Sequence, residues 1–240
     1  MRILGVIPAR WGSSRFPGKP LADINGKSMI ERVYERAKKA KSLIDVIVAT
    51  DDERIMKCVE DFGGKASMTP TELPNGTTRV EYASRKYENI DAVINIQGDE
   101  PLLDPEMIDE VGELLRENNC VTLCREITSD YENKNIVKVV FDVNNNALYF
   151  SRSKIPYERN KTGIRIYQHI GIYGYEINFL RKYVELLPTP LSETESLEQL
   201  KILEHGYKIK VRVTNSKETS IGVDTPEDLE RVKEILKGKY

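Results

Sequence analysis

Long apolar runs are absent from this sequence of 240 residues. No stretch approaches the roughly 20 consecutive apolar residues that a bilayer-spanning helix needs. The first residues read as a strand, not as the charged, apolar and small-residue tract of a leader peptide. Cysteine is scarce: Cys58, Cys120 and Cys124 fit neither a disulfide framework nor a zinc site by number or spacing. Histidine is scarcer, with only His169 and His205, and no Ser-His-Asp or Cys-His set accompanies them. Nothing therefore supports nucleophilic hydrolysis. Charge excess is missing too. The 36 Lys and Arg face 38 Asp and Glu, for a net charge of -2, which argues against a dedicated nucleic-acid binder. The expectation is a cytoplasmic chain with reduced thiols, no membrane insertion and no nucleic-acid partner.

What is present begins with core-forming capacity. Hydrophobic residues make up 40% of the chain, enough for one large domain over 1–240. Apolar runs at 3–8, 44–49, 66–69, 91–96 and 121–127 alternate with helical stripes, each run reading as a buried strand. Ser28 and Glu31 form a capping-box pattern, and Asp104-Pro105 sets a helix start. Val80 to Tyr87 reads as helical, after a loop or helix entry at Asn75-Gly76-Thr77-Thr78. This order predicts an α/β fold with a Rossmann-like, mainly parallel sheet flanked by helices. The second half changes character. Asn144-Asn145-Asn146 signals a β-hairpin, QHIGIYGY another strand, and helices are expected over 177–187 and 193–204. Lys208 to Val213 reads as a strand, and Thr225-Pro226-Glu227-Asp228 caps a last helix. The working division is a nucleotide-binding half (1–130), an elaboration (131–215) and a final turn and helix (216–240).

The chemistry-bearing residues gather where such sheets bind ligands, at the carboxyl ends of strands. IPARWGSSRFPGKPL follows the first strand and carries Arg10, Arg15 and Lys19. It is not a Walker A loop: Gly12 and Gly18 are separated by five residues, and Lys19 precedes Pro20. Each cation alone reads more readily as a solvated loop residue, but all three in a Gly- and Ser-rich loop after the first strand favour anion binding. Asp99, in Gln97-Gly98-Asp99-Glu100-Pro101, and Asp224, in Gly222-Val223-Asp224, suit Mg²⁺, which takes one or two carboxylates plus phosphate oxygens. Each aspartate is equally at home as a turn or cap residue, although Gly98 favours a ligand site at Asp99. His169 sits in a strand-like run with Tyr173, and Arg152 and Arg165 fall in the same half. It is either packed or in contact with an acid or hydroxyl. His205 reads as structural at a helix end. Glu195, Glu198 and Gln199 open a helical stripe, as a solvated face or as hydroxyl recognition.

Taken together, several motifs resemble one family. Ile7-Pro8-Ala9-Arg10, Arg15-Phe16-Pro17-Gly18-Lys19-Pro20-Leu21, Asn75-Gly76-Thr77-Thr78-Arg79, Gln97-Gly98-Asp99-Glu100-Pro101, His169-Ile170-Gly171-Ile172-Tyr173-Gly174-Tyr175, Leu197-Glu198-Gln199-Leu200 and Gly222-Val223-Asp224-Thr225-Pro226 run in the order found in CMP-Kdo synthetases. These are the 3-deoxy-manno-octulosonate cytidylyltransferases. The resemblance implies a nucleotide-diphospho-sugar transferase type of fold, with a β-hairpin-containing dimerisation subdomain. It implies transfer of CMP from CTP to the anomeric hydroxyl of Kdo with Mg²⁺, a homodimer, and a product that feeds lipopolysaccharide synthesis. Arg10 and Lys19, assisted by Arg15, would neutralise the triphosphate. Asp99 and Asp224 would hold the metal. Arg79 would help read the cytosine, with Gln97 nearby as a further substrate contact. Arg152, His169, Tyr173, Glu198 and Gln199 would contact the sugar, with Arg165 a further candidate. The chain departs from the family pattern at Thr78 and at Trp11-Gly12-Ser13. A cytidylyltransferase for another acidic sugar, such as a sialic acid, and a catalytically silent nucleotide-binding regulator are the competing readings.

Overall fold

Side chains along the first strand alternate between two cores and organise the molecule. In the computed structural model, which describes residues 1–12, 16–218 and 221–238, β1 (Ile3–Ala9) sends Ile3 and Ile7 into one core and Leu4 and Val6 into another. A strand with both faces covered needs such a continuous apolar run. A 3-10 turn (Lys19–Leu21) follows, then a small ribbon of β2 (Asp23–Ile24) and β3 (Lys27–Ser28). Next come α1 (Met29–Ala37), β4 (Leu43–Thr50), α2 (Glu53–Asp61), β5 (Ala66–Met68), α3 (Gly76–Ser84), β6 (Ala92–Asn95) and α4 (Pro105–Leu114). The second half supplies β7 (Cys120–Ile127), β8 (Lys138–Phe141), β9 (Ala147–Ser151), β10 (Ile166–Glu176), α5 (Ile177–Glu185), α6 (Pro190–Glu195), α7 (Leu200–Glu204), β11 (Lys210–Val213) and α8 (Pro226–Lys237).

One sheet runs through both halves, in the order β11-β7-β10-β6-β1-β4-β5, with β8 and β9 attached alongside β10. The pairs β1–β4, β1–β6, β4–β5 and β7–β11 are parallel. Long strand β10 is inserted antiparallel between β6 and β7. One face packs residues of α1, α2 and α4, including Ile30, Val59 and Val111. The other packs residues of α3, α5 and α7, including Val80, Leu180 and Leu200. A third cluster seats Leu229, Val232 and Leu236 of α8 on Ile24, Met29 and Leu102. Each fully buried side chain of that size contributes about 1.5–3 kcal/mol, enough to dock a terminal helix. Cys120 and Cys124 are buried in the second cluster, and burial pushes the Cys124 thiol up to about 12.

Three local expectations change. Ser28 caps α1 by accepting from the Glu31 N–H, but the Glu31 carboxylate turns to Lys27 at 3.2 Å and leaves the box half made. The helix expected from Val80 starts at Gly76, because Asn75 and Thr78 form a reciprocal capping box and place Arg79 inside the helix. The helix expected over 193–204 is broken into α6 and α7 at Ser196, whose φ is 51°. The Glu204 carboxylate folds back to accept from the N–H groups of Leu191 and Ser192, both at 3.2 Å, so the end of α7 caps the start of α6.

Candidate active site

Three turns converge at the carboxyl edge of the parallel strands. Beyond β6, Gly98 lets the Gln97–Asp99 turn pass against β1. A Cβ on Gly98 would lie 2.9 Å from the Pro8 carbonyl oxygen. The Val223 N–H donates to the Asp99 carbonyl at 2.9 Å, tying the turn before α8 to the turn after β6. Asp228, in the capping box of α8, accepts from the Asp224 and Thr225 N–H groups at 3.1 and 3.0 Å. These bonds bring Asp99 and Asp224 together. The Lys19 ammonium lies between them, 2.7 Å from Asp99 Oδ2 and 3.2 Å from Asp224 Oδ1.

Lys19 is itself positioned by a stack at the base of the basic loop. Gly18 adopts φ 72° and donates its N–H to the Trp11 carbonyl at 3.1 Å. The indole lies where a Cβ on Gly18 would be, 2.8 Å from the nearest ring carbon. On the indole rests the Arg54 guanidinium, 3.3 Å from the ring centroid and bound to Asp52. Such a cation–aromatic contact strengthens as water is excluded. Arg15 lies outside the described residues.

A cavity of about 370 Å³ opens over this edge, lined by Arg10, Lys19, Asn75, Arg79, Asp99 and Asp224, among others. Arg10 is exposed and makes no hydrogen bond with any described residue, so its charge faces the cavity mouth. Arg79 is different. It is 3% exposed, and its guanidinium already serves Asp51 at 2.7 Å, the Thr69 hydroxyl and the Pro70 carbonyl. Desolvation holds its pKa below the usual value, opposed by Asp51. Its donors fix α3 to the loops after β4 and β5. Gln97 lines the same cavity and donates from Nε2 to the Gly171 carbonyl of β10 at 2.9 Å.

A second cavity, of about 270 Å³, adjoins the first and shares Pro8, Gly76, Gln97 and Glu198 with it. His169, Tyr173 and Gln199 line it as well. His169 packs against the rings of Phe150 and Tyr173, with Nε2 3.1 Å from Thr122 Oγ1. Burial pushes its pKa down to about 3, so the imidazole is neutral at physiological pH. The Thr122 hydroxyl lies 2.8 Å from the Ile172 carbonyl. If it donates there, Nε2 carries the ring proton and Nδ1 remains an acceptor. Glu198 sits in the break between α6 and α7, which is why it points inward. Burial raises its pKa, while the Tyr183 hydroxyl, donating at 3.2 Å, and the charges of Lys201 and Arg10 oppose the rise.

The structure thus assembles Arg10, Lys19, Arg79, Gln97, Asp99 and Asp224 around one cavity, and Gln97, His169, Tyr173, Glu198 and Gln199 around the other. Arg152 lines neither. It donates to the carbonyls of Glu195, Ser196 and Lys134 at 2.8, 3.4 and 3.2 Å, and so clamps the break that presents Glu198. The Glu195 carboxylate accepts from Ser151 Oγ and the Arg152 N–H, which makes it a brace. Arg165 is exposed and lies 3.6 Å from Glu126. Sequence reasoning missed Asn95, Thr77 and Tyr183, all lining the second cavity. For Asn95 the signal was available: an amide in the otherwise apolar run Ala92–Ile96 is a buried polar group that needs a reason.

Comparison with known proteins agrees with this geometry. The family described as cytidylyltransferase matches residues 4–209. A 3-deoxy-manno-octulosonate cytidylyltransferase of Thermodesulfovibrio yellowstonii is 51% identical, with 96% of each chain covered. An 8-amino-3,8-dideoxy-manno-octulosonate cytidylyltransferase of Shewanella baltica is 47% identical over 98% of this chain and 99% of its own. The solved structure of a CMP:2-keto-3-deoxy-manno-octonic acid synthetase complexed with CTP superposes with a TM-score of 0.94, at 41% identity and with both chains fully covered. The chain belongs to the cytidylyltransferase family, among the CMP-Kdo synthetases.

Proposed function

We propose that the protein transfers CMP from CTP to the anomeric hydroxyl of Kdo and releases pyrophosphate. The observation that carries this reading is the pair of adjoining cavities, one rich in charged side chains and one lined mainly by polar and aromatic groups, meeting at Gln97 and Glu198. The charged cavity suits a nucleoside triphosphate. Lys19 and Arg10 offset its negative charge, and oriented cations stabilise the charge that develops on the leaving pyrophosphate. The polar and aromatic cavity suits a polyol. Held at the shared edge, the sugar oxygen forms a bond to the α-phosphorus, the bond to the β-phosphate oxygen breaks, and the hydroxyl proton is lost to solvent. Positioning supplies much of the acceleration in such a reaction.

Mg²⁺ fits the residues present. Asp99 and Asp224 are partly exposed carboxylates that converge on one ammonium, and no cluster of three or more His, Cys, Asp or Glu forms a metal cage among the described residues. A two-carboxylate donor set matches an ion that completes its shell with phosphate oxygens and water. Asp99 and Asp224 would hold it. When bound, it would neutralise phosphate charge and ease ionisation of the hydroxyl. Lys19 keeps the two like charges together before substrate arrives.

The wider reading is a cytoplasmic homodimer whose product feeds lipopolysaccharide synthesis. No helix among the described residues is long and apolar enough to cross a membrane. Val143 and Leu148 of the β8–β9 hairpin are 98% and 62% exposed, which supports a self-association face there. Light scattering at micromolar concentration should give twice the monomer mass.

The functional test is a grid of CTP, UTP and ATP against Kdo, its 8-amino-3,8-dideoxy analogue and N-acetylneuraminate, read by pyrophosphate release. Turnover should be highest with CTP and Kdo, and should require Mg²⁺. Turnover with N-acetylneuraminate alone would replace this reading by the sialic-acid one. Highest turnover with the amino analogue would move the enzyme to the specificity named for the Shewanella relative.

A further inference from the structure

We infer that Asn95, at the carboxyl end of β6, reads a hydroxyl of the acidic sugar and sets which sugars the second cavity accepts. The inference rests on the proposed function and assigns it a specificity-determining residue. Asn95 is 3% exposed, lines the cavity, and makes no side-chain hydrogen bond with any described residue. Its Oδ1 is buried without a partner.

The residue directly across the ladder is Tyr173 of β10. Facing residues on neighbouring strands hold their Cβ atoms about 4.5–5.5 Å apart. Tyr173 is 8% exposed and lines the same cavity; its buried hydroxyl makes no hydrogen bond of normal geometry, although the Thr122 hydroxyl lies near enough to act on it. Five buried side-chain atoms lack partners among the described residues, and two of them form this one cross-strand pair. The neighbour of Asn95 on its other side is Val6, which offers no side-chain partner.

An unmet buried polar group costs about 1–3 kcal/mol, so two side by side are accounted for by something that enters the cavity. The chemistry of the pair narrows that group. An amide presents one acceptor and one donor face, and the phenol adds a hydroxyl that can do either. A carboxylate accepts only and would leave Oδ1 unmet. A sugar hydroxyl donates and accepts, and so satisfies both side chains. Asn95 lies on a central strand, which fixes the distance at which that hydroxyl is read.

The test is Asn95→Leu, which keeps roughly the volume and removes the amide. Tyr173→Phe is the parallel variant, removing only the hydroxyl. For Asn95→Leu the expected result is a Kdo KM raised about 10- to 100-fold, a CTP KM within twofold, and a melting temperature unchanged or higher. A panel of mono-deoxy Kdo analogues gives the specificity readout. Wild type should discriminate strongly against one of them, and Asn95→Leu should lose that discrimination. If Asn95→Leu fails to fold, Tyr173→Phe must show the same loss for the same analogue. An unchanged Kdo KM with wild-type discrimination, or a lowered melting temperature with no change in sugar preference, would assign Asn95 to the fold and overturn the inference alone. Absence of wild-type turnover with Kdo would instead overturn the function on which it rests.

Discussion

The two cavities meet at one edge of one sheet, yet they are built by different means. The first is made of charges carried on turns: Lys19 between Asp99 and Asp224, with Arg10 at the mouth. The second is made of buried polar and aromatic groups around one carboxylate. His169 is held neutral, Glu198 has a raised pKa, and Asn95 and Tyr173 are uncharged. A triphosphate arrives with its charge and needs neutralising. Kdo brings a single carboxylate, but its hydroxyls have no charge to find, and are recognised by hydrogen bonds that gain strength where water is excluded. Substitutions in the two regions should therefore separate cleanly in kinetics.

The largest effect is expected at the charged end. Asp99→Asn should lower kcat about 10²–10³-fold with Mg²⁺ present, while the Kdo KM stays within a few-fold and the melting temperature within a few degrees. A variant that loses sugar affinity but keeps turnover would break the division between the cavities. Next in size is Lys19→Met, expected to lower kcat/KM for CTP by about 10²-fold. Without the ammonium, the two carboxylates should bind Mn²⁺ more tightly in the absence of nucleotide, measured by electron paramagnetic resonance. Unchanged Mn²⁺ affinity would show that Lys19 does not hold them together in solution.

Legibility in the sequence follows the same division. The strand ends carrying Arg10, Asp99 and Asp224 could be placed because buried parallel strands read as apolar runs and their carboxyl ends collect ligands. Lys19 was visible through its loop. At the other end, three features were hidden. β10 joins the sheet antiparallel between β6 and β7, and nothing in the run QHIGIYGY states its neighbours. The break at Ser196 depends on Glu204 returning to cap α6, a contact between two helices that periodicity reads as one. Arg152 was legible as a cation but not as a clamp, as was Arg79 at the charged end, because a carbonyl partner leaves no trace in residue type.

Arg152→Ala should sharpen the comparison with a smaller effect. Losing the clamp on Glu195 and Ser196 should raise the Kdo KM about 10-fold and lower stability by about 1–3 kcal/mol, with CTP binding untouched. Arg152→Lys should recover part of both. An effect on kcat alone would place Arg152 against the reacting groups instead.

The smallest expected effect is on stability against pH. The folded-state pKa of His169, about 3, lies below the ordinary 6.5. The unfolded chain therefore binds more protons between these values, and stability falls as pH drops through that window. Thr122, Phe150 and Tyr173 face the ring and supply no counter-charge. Glu198 has the opposite sign, because its raised pKa costs stability as pH rises above its ordinary value of 4.5. His169→Gln should flatten the urea midpoint between pH 4 and 6.5, and Glu198→Gln should steepen its rise with pH.

The central claim is that a triphosphate on the charged side meets a sugar hydroxyl on the other side. ³¹P NMR of protein with CTP, Kdo and Mg²⁺ tests it most directly. The account predicts equal amounts of pyrophosphate and one new phosphodiester, with CTP unchanged when Kdo is left out. Pyrophosphate formed from CTP without Kdo, or phosphodiester formed only with N-acetylneuraminate, would contradict it.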